Sequence, residues 1–388
     1  MQNCKILFCS ILFGFALITC SAQNIDSISN KQRDSIILEA EKLMVNYKFQ
    51  KALDILAKAD STDIEILLRV GQCNFRLGAS SAAIRPYERV LKMDSSNLTA
   101  LNHLGTLYSR NGDFSKALAC FKQLVEVDSF NSYHYKQAGL MAAKLGSTIQ
   151  AKFWFQRALN LNPMDTEASL ALGNTLMEME QYQSVDSIVQ QALAVDPGFK
   201  PLLLLKAKSE FEQKNYHSVI VTTNGLLEKS DTIALHAKLL GESYFHLGEY
   251  NKMFPWMQFL LKNQYDYEAI YFYMGVAFRE VGDIPGSVEW FKLAVKKSMS
   301  VNLKIYYSEL AEAFEQLGNH GEAIRALRAA YDYSKDDIFL YKLARLYDLY
   351  YKDKTTALVY YEKYLESNDT IKRTKEFARK RMQEMGKF

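Results

Sequence analysis

Glycine recurs at a fixed step along this chain. Gly71, Gly105, Gly139 and Gly173 are evenly spaced, Ala207 occupies the next step, and Gly241 and Gly275 resume it. A second series, Gly78, Gly112 and Gly146, then Gly248 and Gly282, keeps the same step of roughly 34 residues. A period of this length marks a repeated supersecondary unit, and one such unit cannot bury its own apolar face. Stacked neighbours bury a continuous core, and the ends of the stack need polar caps. With only 18 Gly and 6 Pro in 388 residues, the chain has few tight turns, which argues against a β-sandwich or barrel. Its 48% apolar content supplies an ample core and excludes wholesale disorder.

The clearest copy is 98–131, LTALNHLGTLYSRNGDFSKALACFKQLVEVDSFN. Leu104, Gly105, Tyr108, Gly112, Phe114, Ala117 and Phe121 fall at its positions 7, 8, 11, 15, 17, 20 and 24. The copy at 132–165 adds Ala151, Phe155, Ala158 and Pro163. These residues at this spacing resemble the tetratricopeptide repeat, a helix–turn–helix unit. The resemblance implies an all-α superhelical solenoid of about ten repeats, starting near 33, 64, 98, 132, 166, 200, 234, 268, 304 and 338. Residues 33–371 form the array, loosely matched over 33–63, and 372–388 read as a C-terminal capping helix, with a basic membrane-contacting helix as the alternative.

The pattern has a physical rationale of its own. Small residues at positions 8 and 20 let the two helices of a repeat approach closely. Glycine at position 15 takes the left-handed conformation that ends the first helix. Asp or Ser near positions 32–33 suits the next N-cap, and Pro163 and Pro197 stop the second helix. The copies at 166 and 200 depart most, because Glu180 and Lys214 replace the turn glycine and Val185 and Val219 replace the small residue. Looser or bent packing is expected there. One extra residue enters near 352–356.

Residues 1–22 read as a signal peptide: Lys5, an apolar run over 6–18, then a cut after Ala22, with a linker over 23–32. Leu17-Ile18-Thr19-Cys20 also resembles a lipobox, so Cys20 lipidation stands as the rival. Either route implies export, to the periplasm or outside the cell in the first case and to the outer membrane in the second. With 372–388 as a cap, membrane contact is expected only if Cys20 carries the lipid. The array itself keeps two cysteines, Cys73 and Cys120, expected as buried free thiols.

Catalytic signatures are absent from the sequence. The six His form no H-E-x-x-H, and there is no P-loop, G-x-G-x-x-G after a strand, or G-x-S-x-G. No catalytic residue, metal site or cofactor is therefore expected, and the repeats leave no room for a separate catalytic domain. A net charge of +3 sets up no general field for nucleic acid. Aromatics recur at positions 11, 17 and 24, as core packing does. Trp154, Trp256 and Trp290 share position 23, where they either pack between repeats or form an outer docking stripe. Asp-Ser/Thr triplets ending in an aliphatic residue or Thr, at 26–28, 34–36, 60–62, 186–188, 231–233 and 369–371, resemble bacterial O-glycosylation acceptors, although Asp-Ser and Asp-Thr also favour loops and caps.

The resemblance implies a scaffold that holds a protein or peptide partner against the first helices, whose positions 2, 5, 9, 12 and 13 face the concave side. An envelope assembly subunit is the alternative. Read into this chain, the early groove is polar and basic: Arg76, Asn102, Arg110, Lys136 and Lys144. The middle is apolar: Leu170, Met177, Leu204, Phe211, Phe245 and Phe272. If exposed, those residues bind; otherwise they pack on one another. The carboxylate clamp of chaperone-binding relatives is not carried over, because Lys136 is followed by Leu140, where the clamp needs Asn.

Overall fold

The structure is a computed structural model and describes residues 31–60, 62–227, 234–298 and 300–386. The leader, the linker as far as Asn30 and the triplets at 26–28 and 231–233 lie outside the described residues. The chain divides into two compact units at Phe199 and Lys200.

The first unit holds five helical hairpins. Hairpin 1 pairs 31–45 with Phe49–Leu56. Hairpin 2 pairs Ile64–Arg76 with Ser80–Met93, and hairpin 3 pairs Leu98–Arg110 with Phe114–Val127. Hairpins 4 and 5 pair Ser132–Lys144 with Thr148–Leu161 and Thr166–Glu178 with Tyr182–Val195. The second unit continues with hairpin 6, Lys200–Glu212 and Tyr216–Leu227, and hairpin 7, Ala234–His246 and Tyr250–Lys262. Hairpin 8 is Glu268–Glu280 with Ile284–Lys297, hairpin 9 Leu303–Gln316 with His320–Ser334, and hairpin 10 Ile338–Tyr350 with Thr355–Glu366. A closing helix, Lys372–Glu384, follows. No strand occurs among the described residues.

Within each hairpin the two helices meet where position 8 faces position 24. A Cβ on Gly71 would lie 2.6 Å from the Tyr87 ring, and one on Gly275 would lie 2.6 Å from Phe291. In these two hairpins the missing side chain makes room for the aromatic. The glycine series breaks at Ala207 because Thr223, at position 24 of the same hairpin, is small; both are fully buried. In hairpin 10 the buried small residue is Ala344 and its aromatic counterpart is Tyr361, in one cluster. Their separation is one longer than in the other hairpins, which absorbs the longer loop at Tyr351–Lys354.

The turn residue is left-handed in most hairpins, at φ 82° for Gly112 and φ 72° for Gly146. Glu180 and Lys214 adopt the same geometry at φ 56° and 61°. Their turns close like the others: Gln181 N–H donates to Leu176 O at 2.9 Å, as Asp113 N–H does to Tyr108 O at 2.8 Å. Val185 and Val219 are fully buried. The turns thus close normally on strained backbone, while the two helices of each of these hairpins pack less closely on each other than in hairpins 2 to 4 and 7 to 10, as expected. The N-caps also fall later than expected, at position 34, where Asn97 and Asp165 accept from Ala100 N–H and Ala168 N–H.

The three tryptophans are half-buried and pack between elements. Trp154 lies 6.0 Å from the Tyr135 ring, and Trp290 lies 5.9 Å from Tyr271 and 6.0 Å from Phe278. Cys73 and Cys120 are free and buried, and burial pushes each thiol up to about 11.

Candidate interaction surface

In the first unit, Arg76, Arg110 and Lys144 are the last residues of the first helices in hairpins 2, 3 and 4. The repeat period puts them at one level of successive hairpins, where a cation also complements the helix C-terminus. All three are exposed, and no ion pair to them occurs among the described residues. The Arg110 guanidinium lies 4.6 Å from the Phe75 ring centre, which leaves its edges free to donate. Glu178 takes the same place in hairpin 5 and ends the row.

The other basic groove residue behaves differently. Lys136 pairs with Asp165 at 2.9 Å and Glu167 at 3.1 Å on the next hairpin. Burial works against its charge, yet the two carboxylates raise its pKa. Lys136 is therefore neutralised as an inter-hairpin tie. Asn102 is half-buried, with its Oδ1 buried and unpartnered. Leu170 and Met177 are half-buried on hairpin 5.

Beside Arg76 the first helices of hairpins 1 to 3 enclose a cavity of about 650 Å³. Met44, Val45 and Tyr47 form its apolar side; Glu41, Arg69, Gln72, Arg76 and His103 form its polar side. Val45 is 78% exposed and Tyr47 84% exposed. Sequence reasoning missed this site because hairpin 1 fits the repeat pattern only loosely. The one signal was the pairing of apolar Val45 and Tyr47 with the arginines of the next repeat.

In the second unit the apolar positions are half-buried and satisfy one another. Leu204 packs against Ala207, Val219 and Leu239. Phe211 lies 5.6 Å from Tyr216, Phe245 lies 4.4 Å from Tyr273, and Phe272 lies 5.1 Å from Tyr306. Edge and offset ring contacts of this kind are favourable in themselves. The same region holds a carboxylate that sequence reading did not single out. Glu242 is 6% exposed and accepts from Tyr267 Oη at 3.2 Å. Burial raises its pKa, which Lys238 only partly offsets.

Among the described residues, no group of three or more His, Cys, Asp or Glu could hold a metal ion. Residues 98–131 and 305–337 match the tetratricopeptide repeat family. These two segments are tetratricopeptide repeats.

Among solved structures, the chain resembles a tetratricopeptide repeat protein from Parabacteroides merdae at 17% identity, over 65% of this chain and 98% of that one, with a TM-score of 0.47. It resembles MamA at 23% identity, over 43% of this chain and 91% of that one, with a TM-score of 0.42. It also resembles YrrB, a TPR protein with an unusual peptide-binding site, at 20% identity, over 48% and 95% of the two chains, with a TM-score of 0.43. No curated protein sequence matches it.

Proposed function

We propose that this protein is a non-catalytic interaction scaffold and that the first-helix face of hairpins 1 to 4 holds an acidic polypeptide segment. The observation that carries this reading is the row Arg76, Arg110 and Lys144, exposed and unpaired beside the cavity at hairpins 1 to 3. The other cations on the first helices of hairpins 2 to 4, Arg69 and Lys136, are tied to carboxylates of neighbouring helices, so the row is a local surplus on this face. Carboxylates of an extended chain would meet the row, and an apolar side chain would enter between Val45, Tyr47 and Met44. Phe211, Phe245 and Phe272, by contrast, hold the second unit together. The apolar run at 6–18 and Ala22 support export, so the partner belongs to the cell envelope.

The test is a crosslinked pull-down from the cell envelope, run with the natural chain and with a triple R76E, R110E, K144E variant. The natural chain should recover a partner at low salt and lose it as ionic strength rises. The variant, folded by circular dichroism, should not recover it. Equal recovery by both would remove this face from the account.

A further inference from the structure

The closing helix carries a charge that the rest of the protein does not share. Lys372–Glu384 holds six basic and two acidic residues, a net +4, against +3 for the entire chain. Its inner side is fixed. Ala378 and Met382 are fully buried against hairpin 10. Arg381 donates to the buried carboxylate of Asp348 at 2.7 and 3.1 Å. An interfacial helix that dips an apolar face into lipid is therefore ruled out, since that face is already spent.

The outer side is what remains. Arg373, Phe377 and Lys380 follow at i, i+4 and i+7 and form one ridge; Lys372 and Arg379 form a second. All five are exposed, Phe377 by 45%. No ion pair to any of the four cations occurs among the described residues, and Glu384 is committed to Arg381. Glu376 is the one remaining acid in the helix. A terminal repeat needs a polar cap, but capping does not require one sign of charge.

We propose that this outer face docks the protein on an anionic lipid surface. The helix is about 20 Å long. Its cations recur roughly every 10 Å along each ridge, a spacing set by two helical turns. An exposed helix face of this kind has no walls to enclose a peptide, whereas a bilayer is flat and presents its charge laterally. Phe377 stands between Arg373 and Lys380 with part of its ring free, as an aromatic at the headgroup level would. The contact is electrostatic and separate from the first-helix face of the first unit.

The experiment is co-sedimentation of the full chain with phosphatidylcholine vesicles, with and without about 30% phosphatidylglycerol. The readout is the increment due to the anionic lipid, which cancels any contribution from the apolar run at 6–18. The expected increment is on the order of tenfold at low salt and vanishes near 0.5 M salt. An R373E, K380E variant should lose it, and F377S should reduce it. The R76E, R110E, K144E variant should keep it, so this site and the peptide face fail independently. No anionic increment, or an increment abolished by the first-unit variant and kept by R373E, K380E, overturns the proposal. So does equal binding of polyglutamate with no vesicle binding, which would assign the face to an acidic polymer.

Discussion

A Cβ built on Gly139 would lie 2.6 Å from the ring of Phe155, its partner on the second helix of hairpin 4, and Phe155 is fully buried. Close approach of the two helices depends on that missing atom. Gly139→Ala should therefore destabilise by about 1–3 kcal/mol, although alanine favours helix elsewhere. Adding Phe155→Leu should recover part of the loss, as the natural Ala207 and Thr223 pair foreshadows. Thermal unfolding of the single and double variants gives the coupling; additive losses would refute it.

The left-handed turn residues Glu180 and Lys214 are exposed, so their side chains have little to lose. Glycine at either site should raise stability by about 0.5 kcal/mol, the relief of strain exceeding the greater freedom of glycine in the unfolded chain. Urea titration of Glu180→Gly and Lys214→Gly checks this. A loss of stability at both would show that the turn is not strained.

Asp348 is 5% exposed, and burial alone would raise its carboxyl. Arg381 and Lys354 outweigh burial and hold it below the ordinary Asp value. A depressed carboxyl stabilises the fold above its unfolded value and stops doing so as pH falls through the folded one. Acid below about pH 4 should therefore loosen the closing helix. Asp348→Asn leaves Arg381 without its counter-charge and, because Arg381 is part-exposed, should cost about 1–2 kcal/mol at neutral pH. Trypsin should then cut faster around Arg379 at neutral pH, and the acid-induced loss of helix signal, followed by circular dichroism, should flatten.

Glu242 has the opposite sign. Its raised carboxyl means the folded state holds the proton over a window where the unfolded chain has released it. Stability should fall as pH rises from about 4.3, the unfolded value, through the raised one. Glu242→Gln, which can still accept from Tyr267, should melt about 2 °C or more higher at pH 7, with the gain absent at pH 4. Melting curves that shift equally at both values would contradict this.

Much of this was legible in the sequence because the repeat is read locally. The glycine steps, the aromatic at position 24 and the breakers Pro163 and Pro197 each act within a single repeat. The groove was legible only as a set of positions. Whether Lys136 was a free cation depended on Asp165, a cap of the next hairpin, and whether Phe245 faced water depended on Tyr273. Glu242 stayed hidden because a carboxylate on a helix is usually solvated.

By itself the sequence determined that ten hairpins form, where each turns and which faces of their helices are apolar, since steric fit and period are properties of the chain. Tertiary structure alone decided which charges remain unspent. Arg76 and Arg373 stay free while Lys136 and Arg381 are paired, because an ion pair forms only where packing brings a second helix within reach.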